Sequence, residues 1–267
     1  MTKTILITGA TDGIGFETAK MLAQSGHHLL IHGRSAAKLA KVEQQLSAIK
    51  GAGLVEAYIA DFSLLTDVKA LSEQIIQQHD HIDVVINNAG VFKAEPAMTA
   101  AGLDVRFVVN TLAPYLLTKL LLPMLPQFGR VLNLSSAAQA PVDLNALQGN
   151  VALSDMAAYS QSKLAIRLWS EAVAEPTQAQ GLAIIAVNPG SLLASKMVTE
   201  GFGIAGNDLS IGADILVKLA LDIDALSYSG QYFDNDTGHF VAANTDNVHI
   251  QQSIDLIAAM ESIIAKI

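Results

Sequence analysis

The 267-residue chain contains no cysteine, and this excludes a disulfide scaffold, a thiolate metal site and a cysteine nucleophile. Charged residues are also few, at 15% of the chain. Acidic residues outnumber basic ones 25 to 16, which gives a formal net charge of −9. Such a surface disfavours nucleic acid and anionic membranes, and no run of basic residues opposes it.

Long uninterrupted apolar runs are absent as well. The longest candidate, TLAPYLLTKLLLPML, is broken by Pro114, Lys119 and Pro123 and falls short of the roughly 18 residues that span a bilayer. The opening MTKTILITGA leads directly into a strand pattern and lacks the apolar region of a signal peptide. We therefore expect a soluble, cytoplasmic protein with neither a membrane nor a nucleic acid as partner.

Short apolar runs alternate along the chain with segments that carry apolar residues at three- and four-residue spacing. Most of these runs are apolar on both faces and several end in Gly, Asn, Asp or Ser, which is typical of parallel strands covered by helices on both sides. The pattern predicts one domain over 1–267, a doubly wound parallel α/β sheet of about seven strands with helices on both faces. The predicted strands cover residues 4–9, 28–33, 55–61, 83–90, 130–136, 183–190 and 230–235.

A glycine-rich turn, TGATDGIG at 8–15, follows the first predicted strand. Gly9, Gly13 and Gly15 permit a tight turn and close approach by a pyrophosphate, and the next helix offers its free N–H groups to the phosphates. This predicts a dinucleotide site in a Rossmann fold. A purely structural turn is the alternative.

The end of the second predicted strand bears on the choice between NAD and NADP. Gly33 stands where an acidic residue would hold the ribose 2′-hydroxyl, and Arg34 and Ser35 follow it. An arginine pairs well with a 2′-phosphate, whereas an acid would repel it. The sequence favours NADP(H), with NAD(H) possible, and the alternative is that Arg34 is merely a solvated surface residue.

The stretch MAAYSQSKLA at 156–165 has a helical pattern and places Tyr159 and Lys163 four residues apart, on one face. Alone, the pair is compatible with a half-exposed helix face that has no chemistry.

Together these stretches resemble the short-chain dehydrogenases/reductases over essentially the whole chain. TGATDGIG is similar to that family's TGxxxGIG turn, YSQSK at 159–163 to its YxxxK, and NNAG at 87–90 and NPG at 188–190 to two further motifs. Within the family, the chain most resembles the branch of retinol dehydrogenases and WW-domain oxidoreductases. The features that carry this resemblance are the sequence YSQSKLA, the long gap between Ser136 and Tyr159, and the sequence GQYFDNDTG.

The resemblance implies a catalytic set of Asn110, Ser136, Tyr159 and Lys163. Tyr159 would give the substrate oxygen its proton, and an ammonium at Lys163 would lower the pKa of that phenol. Ser136 would donate a hydrogen bond to the same oxygen, and Asn110 would hold a water that links Lys163 to solvent. Two alternatives stay open: Asn110 as a satisfied buried polar group, and Ser135 in the role of Ser136.

The resemblance also implies a set of cofactor contacts. Asp61 would contact adenine, although it is also placed to cap a helix beginning near Leu64. PGSLLASKM departs from the family's PGxVxT, and Ser195 is assigned there to the nicotinamide amide. The full predicted set is Gly9, Thr11, Gly13, Ile14, Gly15, Arg34, Ser35, Asp61, Phe62, Asn88, Ala89, Gly90, Tyr159, Lys163, Pro189, Gly190, Leu192 and Ser195.

Two long irregular segments, 137–155 and 191–208, are expected to bind the substrate at the carboxyl ends of the strands. The second is rich in apolar residues and glycine, which predicts an apolar lid for a hydrophobic aldehyde, ketone or alcohol; an ordinary surface loop is the alternative. The seven histidines have no metal-binding spacing, so they are expected to be surface or structural residues and no metal is predicted. The isoleucine-rich tail is expected to form a helix packed on its own domain, with a subunit contact as the alternative.

The function predicted is hydride transfer between NADP(H) and a carbonyl or alcohol of small to medium size. A catalytically silent NAD(P)-binding regulator is the alternative, and dehydration or epimerisation on the same fold is a third hypothesis. Family resemblance implies a homodimer or homotetramer.

Overall fold

The computed structural model describes residues 2–194 and 196–267. Its centre is an eight-stranded sheet in the order β3-β2-β1-β4-β5-β6-β7-β8. Neighbours from β1 to β7 pair in parallel, and β8 pairs antiparallel with β7. The strands are Thr4–Ile7 (β1), His28–Gly33 (β2), Val55–Ile59 (β3), Val84–Asn87 (β4), Arg130–Leu134 (β5), Ala183–Asn188 (β6), Tyr232–Asp234 (β7) and His239–Val241 (β8).

The seven predicted strands are all present, and the doubly wound architecture is confirmed. The sheet has eight strands rather than the predicted seven or so. The additional strand, β8, has only three residues with mostly exposed side chains, so it lacks an apolar run that would predict it. Five of the predicted runs extend two or three residues beyond the strand's actual end. Those extra residues are the turns that leave the carboxyl edge of the sheet.

Helices cover both faces of the sheet, as the strand pattern requires. They are Gly13–Gln24 (α1), Ala36–Ser47 (α2), Leu65–Gln78 (α3), Val105–Phe107 (α4), Ala113–Leu121 (α5), Leu144–Leu147 (α6), Asp155–Gln178 (α7), Lys196–Phe202 (α8), Ser210–Leu221 (α9) and Asn247–Ile264 (α10). A π-helix, Val108–Leu112, joins α4 to α5, and the 3-10 turn Leu122–Met124 ends that stretch.

Alternate strand residues feed two separate cores. Leu30 and Val131 belong to the core under α3, α5, α7 and α10, which also contains the buried Trp169. Ile31 and Leu132 belong to the core under α1, α2 and α9. Because neighbouring strand residues point to opposite faces, a run that is apolar at every position serves both cores.

One helical stretch, Val105–Met124, is long and apolar enough by length and composition to cross a membrane, with a mean hydropathy of 1.4. The expectation that no stretch reaches that length was therefore wrong. The stretch is 72% buried inside the domain, where it packs against α3 and α7. Its apolar character is that of a core helix.

The tail forms the predicted terminal helix, and α10 packs on α7 of its own domain. Leu256, Met260 and Ile263 are buried, whereas Ile250 and Ile254 remain exposed.

Candidate active site

A cleft of about 520 Å³ opens at the carboxyl edge of the sheet. It collects most of the predicted site residues, from the glycine turn at one side to α7 at the other. The predicted residues that line it are Gly9, Thr11, Gly13, Ile14, Arg34, Ser35, Asp61, Phe62, Asn88, Ala89, Gly90, Tyr159, Lys163 and Pro189.

The glycine turn places the start of α1 against the cleft. Gly9 and Gly13 have φ values of 67° and 56°, a left-handed conformation that favours glycine. A Cβ on Gly15 would lie 2.3 Å from Nδ2 of Asn88. Gly15 therefore does not line the cleft as predicted, and instead lets α1 pack closely beneath it.

Two side chains hold this turn from neighbouring strands. Nδ2 of Asn88 donates to the carbonyl oxygens of Thr8 and Gly9, at 2.8 and 3.0 Å. Nδ1 of His32 accepts from the Gly9 N–H at 3.2 Å, and its Nε2 lies 3.0 Å from the Ala60 carbonyl oxygen. A ring that accepts at Nδ1 and donates at Nε2 is neutral, and burial lowers the pKa of His32 to about 4. His32 is thus one of the structural histidines that the sequence leads us to expect, although its link to the glycine turn was not predicted.

The outer end of the cleft, opposite Tyr159 and Lys163, is cationic. Arg34 and Lys38 both line it, and Ser35 is the N-cap residue of α2 between them. Lys38 was missed, although a cation four residues after Arg34 on a capped helix is a readable signal. A Cβ on Gly33 would lie 2.5 Å from Cγ2 of Thr11, so any larger side chain at this position would have to displace the Thr11 side chain.

Asp61 lines the cleft and does not cap helix α3. Its Oδ1 accepts from the backbone N–H and the hydroxyl of Ser63, at 2.9 and 2.8 Å. Helix α3 begins at Leu65, and its N-cap residue, Leu64, makes no side-chain capping bond. The capping alternative for Asp61 is therefore wrong.

At the inner end of the cleft, Tyr159 and Lys163 of α7 lie beside the turn that follows β5. Ser135 lines the cleft at this turn, whereas the predicted Ser136 does not. Ser154 caps α7, and the helix carries Tyr159 and Lys163 one turn apart as predicted. Nζ of Lys163 donates to the Leu134 carbonyl oxygen at 2.7 Å and lies 5.7 Å from the centroid of the Tyr159 ring. The ring of Phe92 meets the Tyr159 ring edge to face at 5.3 Å.

The electrostatics of these groups differ from the expectation. Burial raises the pKa of Tyr159, and a hydrogen bond with Ser136 offsets part of that rise. The net direction is therefore opposite to the lowering that an ammonium at Lys163 was expected to contribute, and Lys163 is not among the causes of the shift. Burial also lowers the pKa of Lys163 to about 8.

The choice between the two serines follows from their hydrogen bonds. The Ser135 hydroxyl donates to the Lys163 carbonyl oxygen at 2.6 Å and is buried. Ser136 is the serine that faces the Tyr159 hydroxyl. Its own carbonyl oxygen accepts from the Tyr232 hydroxyl at 3.0 Å, which ties β7 to this corner.

Asn110 lies fully buried in the π-helix. Its Oδ1 accepts from the Val91 N–H at 2.8 Å, and its Nδ2 donates to the Val91 carbonyl oxygen and the Ser162 hydroxyl, each at 2.9 Å. Both amide donors are used, so the side chain fits the alternative of a satisfied buried polar group, and only the second lone pair of Oδ1 is left for the predicted water. Asn110 clamps the turn after β4 to α7.

The turn after β6 departs from the predicted contacts at two positions. Leu192 does not line the cleft: its backbone is left-handed, with φ of 54°, and its side chain is 45% exposed. Gly190 is also absent from the lining, whereas Lys196 and Met197 of α8 contribute to it. Ser195 lies outside the described residues.

The two predicted substrate segments are partly ordered by contacts with the rest of the domain. In 137–155, the Ala140 and Asp143 N–H groups donate to Ser160 and Gln161 of α7, which fixes the segment to the helix that carries Tyr159. In 191–208, Leu193 is buried, whereas Ile204 is exposed. The Phe202 side chain of the predicted lid lies outside the described part of the chain.

Known proteins share both the sequence pattern and the fold. The family model for short chain dehydrogenase matches residues 3–202. Retinol dehydrogenase 13 of Homo sapiens is 32% identical over 256 residues, which cover 87% of this chain and 76% of that protein. A metagenomic short-chain oxidoreductase solved with NADP superposes with a TM-score of 0.65 at 28% identity, over 83% of this chain and 92% of that one.

A further structure, described as a short chain dehydrogenase from Escherichia coli CFT073 and solved with NADPH, has a TM-score of 0.72 at 26% identity, over 87% of this chain and 96% of that one. The predicted likeness to the retinol dehydrogenase branch is confirmed. The family match extends from β1 through α8, and the chain belongs to the short-chain dehydrogenase family.

Proposed function

We propose that this protein is an oxidoreductase that transfers a hydride between NADP(H) and a hydrophobic carbonyl or alcohol of small to medium size. The observation that carries the proposal is the single cleft with two chemically different ends. Tyr159 and Lys163 line its inner end, and Arg34 and Lys38 line its outer end. Ser136 is hydrogen-bonded to Tyr159.

The residues present fit NADP(H). The N-terminus of α1 and the left-handed glycines give room and N–H donors for a pyrophosphate. Two cations at the outer end suit the additional phosphate of NADP, and Gly33, packed against Thr11, presents no acid that would repel it. The related structures solved with NADP and NADPH support the same choice.

The catalytic residues suit proton transfer to a carbonyl oxygen. When bound, the reduced cofactor supplies the hydride. Because burial raises the pKa of Tyr159, the phenol is protonated at neutral pH and is ready to donate to the oxygen that gains charge. Ser136, beside that hydroxyl, donates a second hydrogen bond to the same oxygen. Lys163, with a pKa near 8, keeps a positive charge below that pH and stabilises the phenolate that remains.

The proposed class of substrate rests on the apolar side chains around Tyr159. Phe92 packs against the Tyr159 ring, and Met197 lines the cleft from α8. The curated relative named a retinol dehydrogenase acts, by its name, on a hydrophobic alcohol. We therefore place hydrophobic aldehydes and ketones first among the substrates to be tested.

The first experiment is a titration of the purified protein with NADPH and with NADH, followed by nicotinamide fluorescence. We expect tighter binding of NADPH, followed by its oxidation in the presence of a hydrophobic aldehyde. Preference for NADH would overturn the cofactor assignment. Tight binding without turnover over a panel of aldehydes, ketones and alcohols would favour the silent regulator.

The cytoplasmic location and the homodimer or homotetramer remain proposals. Cell fractionation tests the first and light scattering on the eluting protein tests the second. Protein in the membrane fraction, or a monomeric mass, would contradict them.

A further inference from the structure

Two histidines and a glutamate that are far apart in sequence converge at the amino edge of the sheet. His28 is the first residue of β2, Glu56 is the second residue of β3, and His79 is the C-cap residue of α3. We propose that His28, Glu56 and His79 form a binding site for a divalent transition-metal ion of the Zn²⁺ type.

The donor atoms already have nearly the spacing that such an ion requires. Nε2 of His28 lies 3.0 Å from Oε2 of Glu56, and Nε2 of His79 lies 3.2 Å from the same oxygen. The three donor atoms all lie within 4.8 Å of one another. Around a tetrahedral zinc with bonds of about 2.0–2.1 Å, neighbouring donors are roughly 3.3 Å apart. A small approach of the two imidazoles would complete one face of the tetrahedron.

The donor set matches the chemistry of zinc. Two imidazoles and one carboxylate are a common ligand set for this ion. Glu56 supplies one negative charge, and the exposed Asp80 adds another beside His79. The site therefore attracts a cation.

The neighbouring Tyr58 is positioned to take part. Its hydroxyl lies 2.6 Å from Nε2 of His79 and donates to Oε1 of Gln78 at 2.9 Å. Metal binding would replace the contact between His79 and Tyr58 with a bond from Nε2 to the ion. The Tyr58 hydroxyl would then keep its hydrogen bond to Oε1 of Gln78.

The supporting elements make the site rigid. The backbone N–H of His79 donates to the Ile75 carbonyl oxygen at 3.0 Å, and the start of β3 is paired with β2, Glu56 opposite Leu30. An ion bound here would tie the edge strand β3 to β2 and to the end of α3. Its role would be stability, because this is the edge of the sheet away from the cleft.

The test uses the full chain, freed of metals with a chelator and then titrated with ZnCl₂ in a calorimeter. We expect one Zn²⁺ per chain and a higher Tm with Zn²⁺ than without it. Glu56→Gln and His79→Gln should each weaken binding roughly tenfold or more, since even an outer-shell partner contributes that much. His239→Gln, which changes an exposed histidine on β8, should bind as the unchanged protein does.

NADPH affinity of each variant serves as the measure of correct folding, and it is independent of metal. Failure to bind stoichiometric Zn²⁺ would show that the cluster is only a hydrogen-bonded contact between strand and helix. Equal Zn²⁺ affinity in the unchanged protein and in His79→Gln would also overturn the site. Neither result would affect the proposed oxidoreductase activity.

Discussion

At the scale of single residues, the phenol of Tyr159 carries the proposed chemistry. Tyr159→Phe should leave NADPH affinity nearly unchanged, because the ring and its edge-to-face contact with Phe92 remain. Turnover should fall by roughly 10²–10⁴-fold, the usual contribution of a positioned acid. Cofactor titration and the steady-state rate of NADPH oxidation measure the two quantities.

Tyr228→Phe is the matched control for that variant. Tyr228 stacks on Phe240 near the far edge of the sheet, and loss of its hydroxyl should change neither quantity. Undiminished turnover in Tyr159→Phe would show that another group supplies the proton.

The cationic end of the cleft gives a second prediction for individual side chains. Arg34→Ala and Lys38→Ala should each weaken NADPH binding by about ten- to a hundredfold, since a hydrogen bond to a charged group contributes roughly 1.5–3 kcal/mol. NADH, which lacks the 2′-phosphate, should lose little affinity. Fluorescence titrations with both cofactors measure the ratio.

Lys41→Ala is the control, because Lys41 is exposed on the same helix and does not line the cleft. If Arg34→Ala weakened NADPH and NADH equally, Arg34 would not bind the 2′-phosphate.

At the scale of elements, the amino-acid sequence predicts the parts of the fold whose cause is local. Strands such as β5 are apolar at nearly every position because each face meets a helix layer. The exact strand ends could not be predicted, because Ser135 still donates its N–H to the Val187 carbonyl oxygen of β6 although β5 ends at Leu134. The three-residue β8 has too few buried side chains to stand out.

Site residues were predictable where one element carries them. Tyr159 and Lys163 are one turn apart on α7, so their proximity follows from helical geometry. Leu192 has a left-handed backbone conformation, which leucine rarely adopts, so its position could not be predicted from its residue type. The meeting of His28 with His79 depends on long-range pairing, which no spacing in the sequence encodes.

His32, on β2, links the glycine turn that follows β1 to Ala60, which follows β3. The burial of its ring gives a pH prediction. The unfolded imidazole has a pKa near 6.5, whereas in the folded protein the pKa is about 4, so the unfolded chain binds more protons between these values. Stability should therefore fall as pH drops through this window, by about 3 kcal/mol from this residue. Urea unfolding at a series of pH values measures it.

His32→Gln should flatten that part of the pH profile, because the replacement does not titrate. His239→Gln, at an exposed position, should leave the profile unchanged. An equally steep profile in His32→Gln would assign the acid sensitivity to other groups.

At the scale of the whole molecule, the sheet separates two proposed binding sites. Strand β2 begins at His28 beside Glu56 and ends at Gly33 beside Arg34, so the sites lie on the order of 16 Å apart along one strand. Carboxyl-edge turns carry the proposed chemistry, and the amino edge would hold the chain together. The long helix α7 connects the cleft to the core, since it carries Tyr159 near one end and Trp169 in its buried middle.

This separation predicts that the two ligands stabilise the protein independently. NADPH at a hundred times its Kd should add about 2.7 kcal/mol, which is a rise in Tm of roughly 5–10 °C for a domain of this size. Zn²⁺ should add its own increment, and the two increments in unfolding free energy should sum within about 0.5 kcal/mol because the sites share no side chain. Thermal unfolding with each ligand, with both and with neither measures the sum.

Arg34→Ala should shrink only the NADPH increment and Glu56→Gln only the Zn²⁺ increment. A combined effect well above or below the sum would mean that β2 transmits strain between its two ends, and the sites would then be coupled rather than separate.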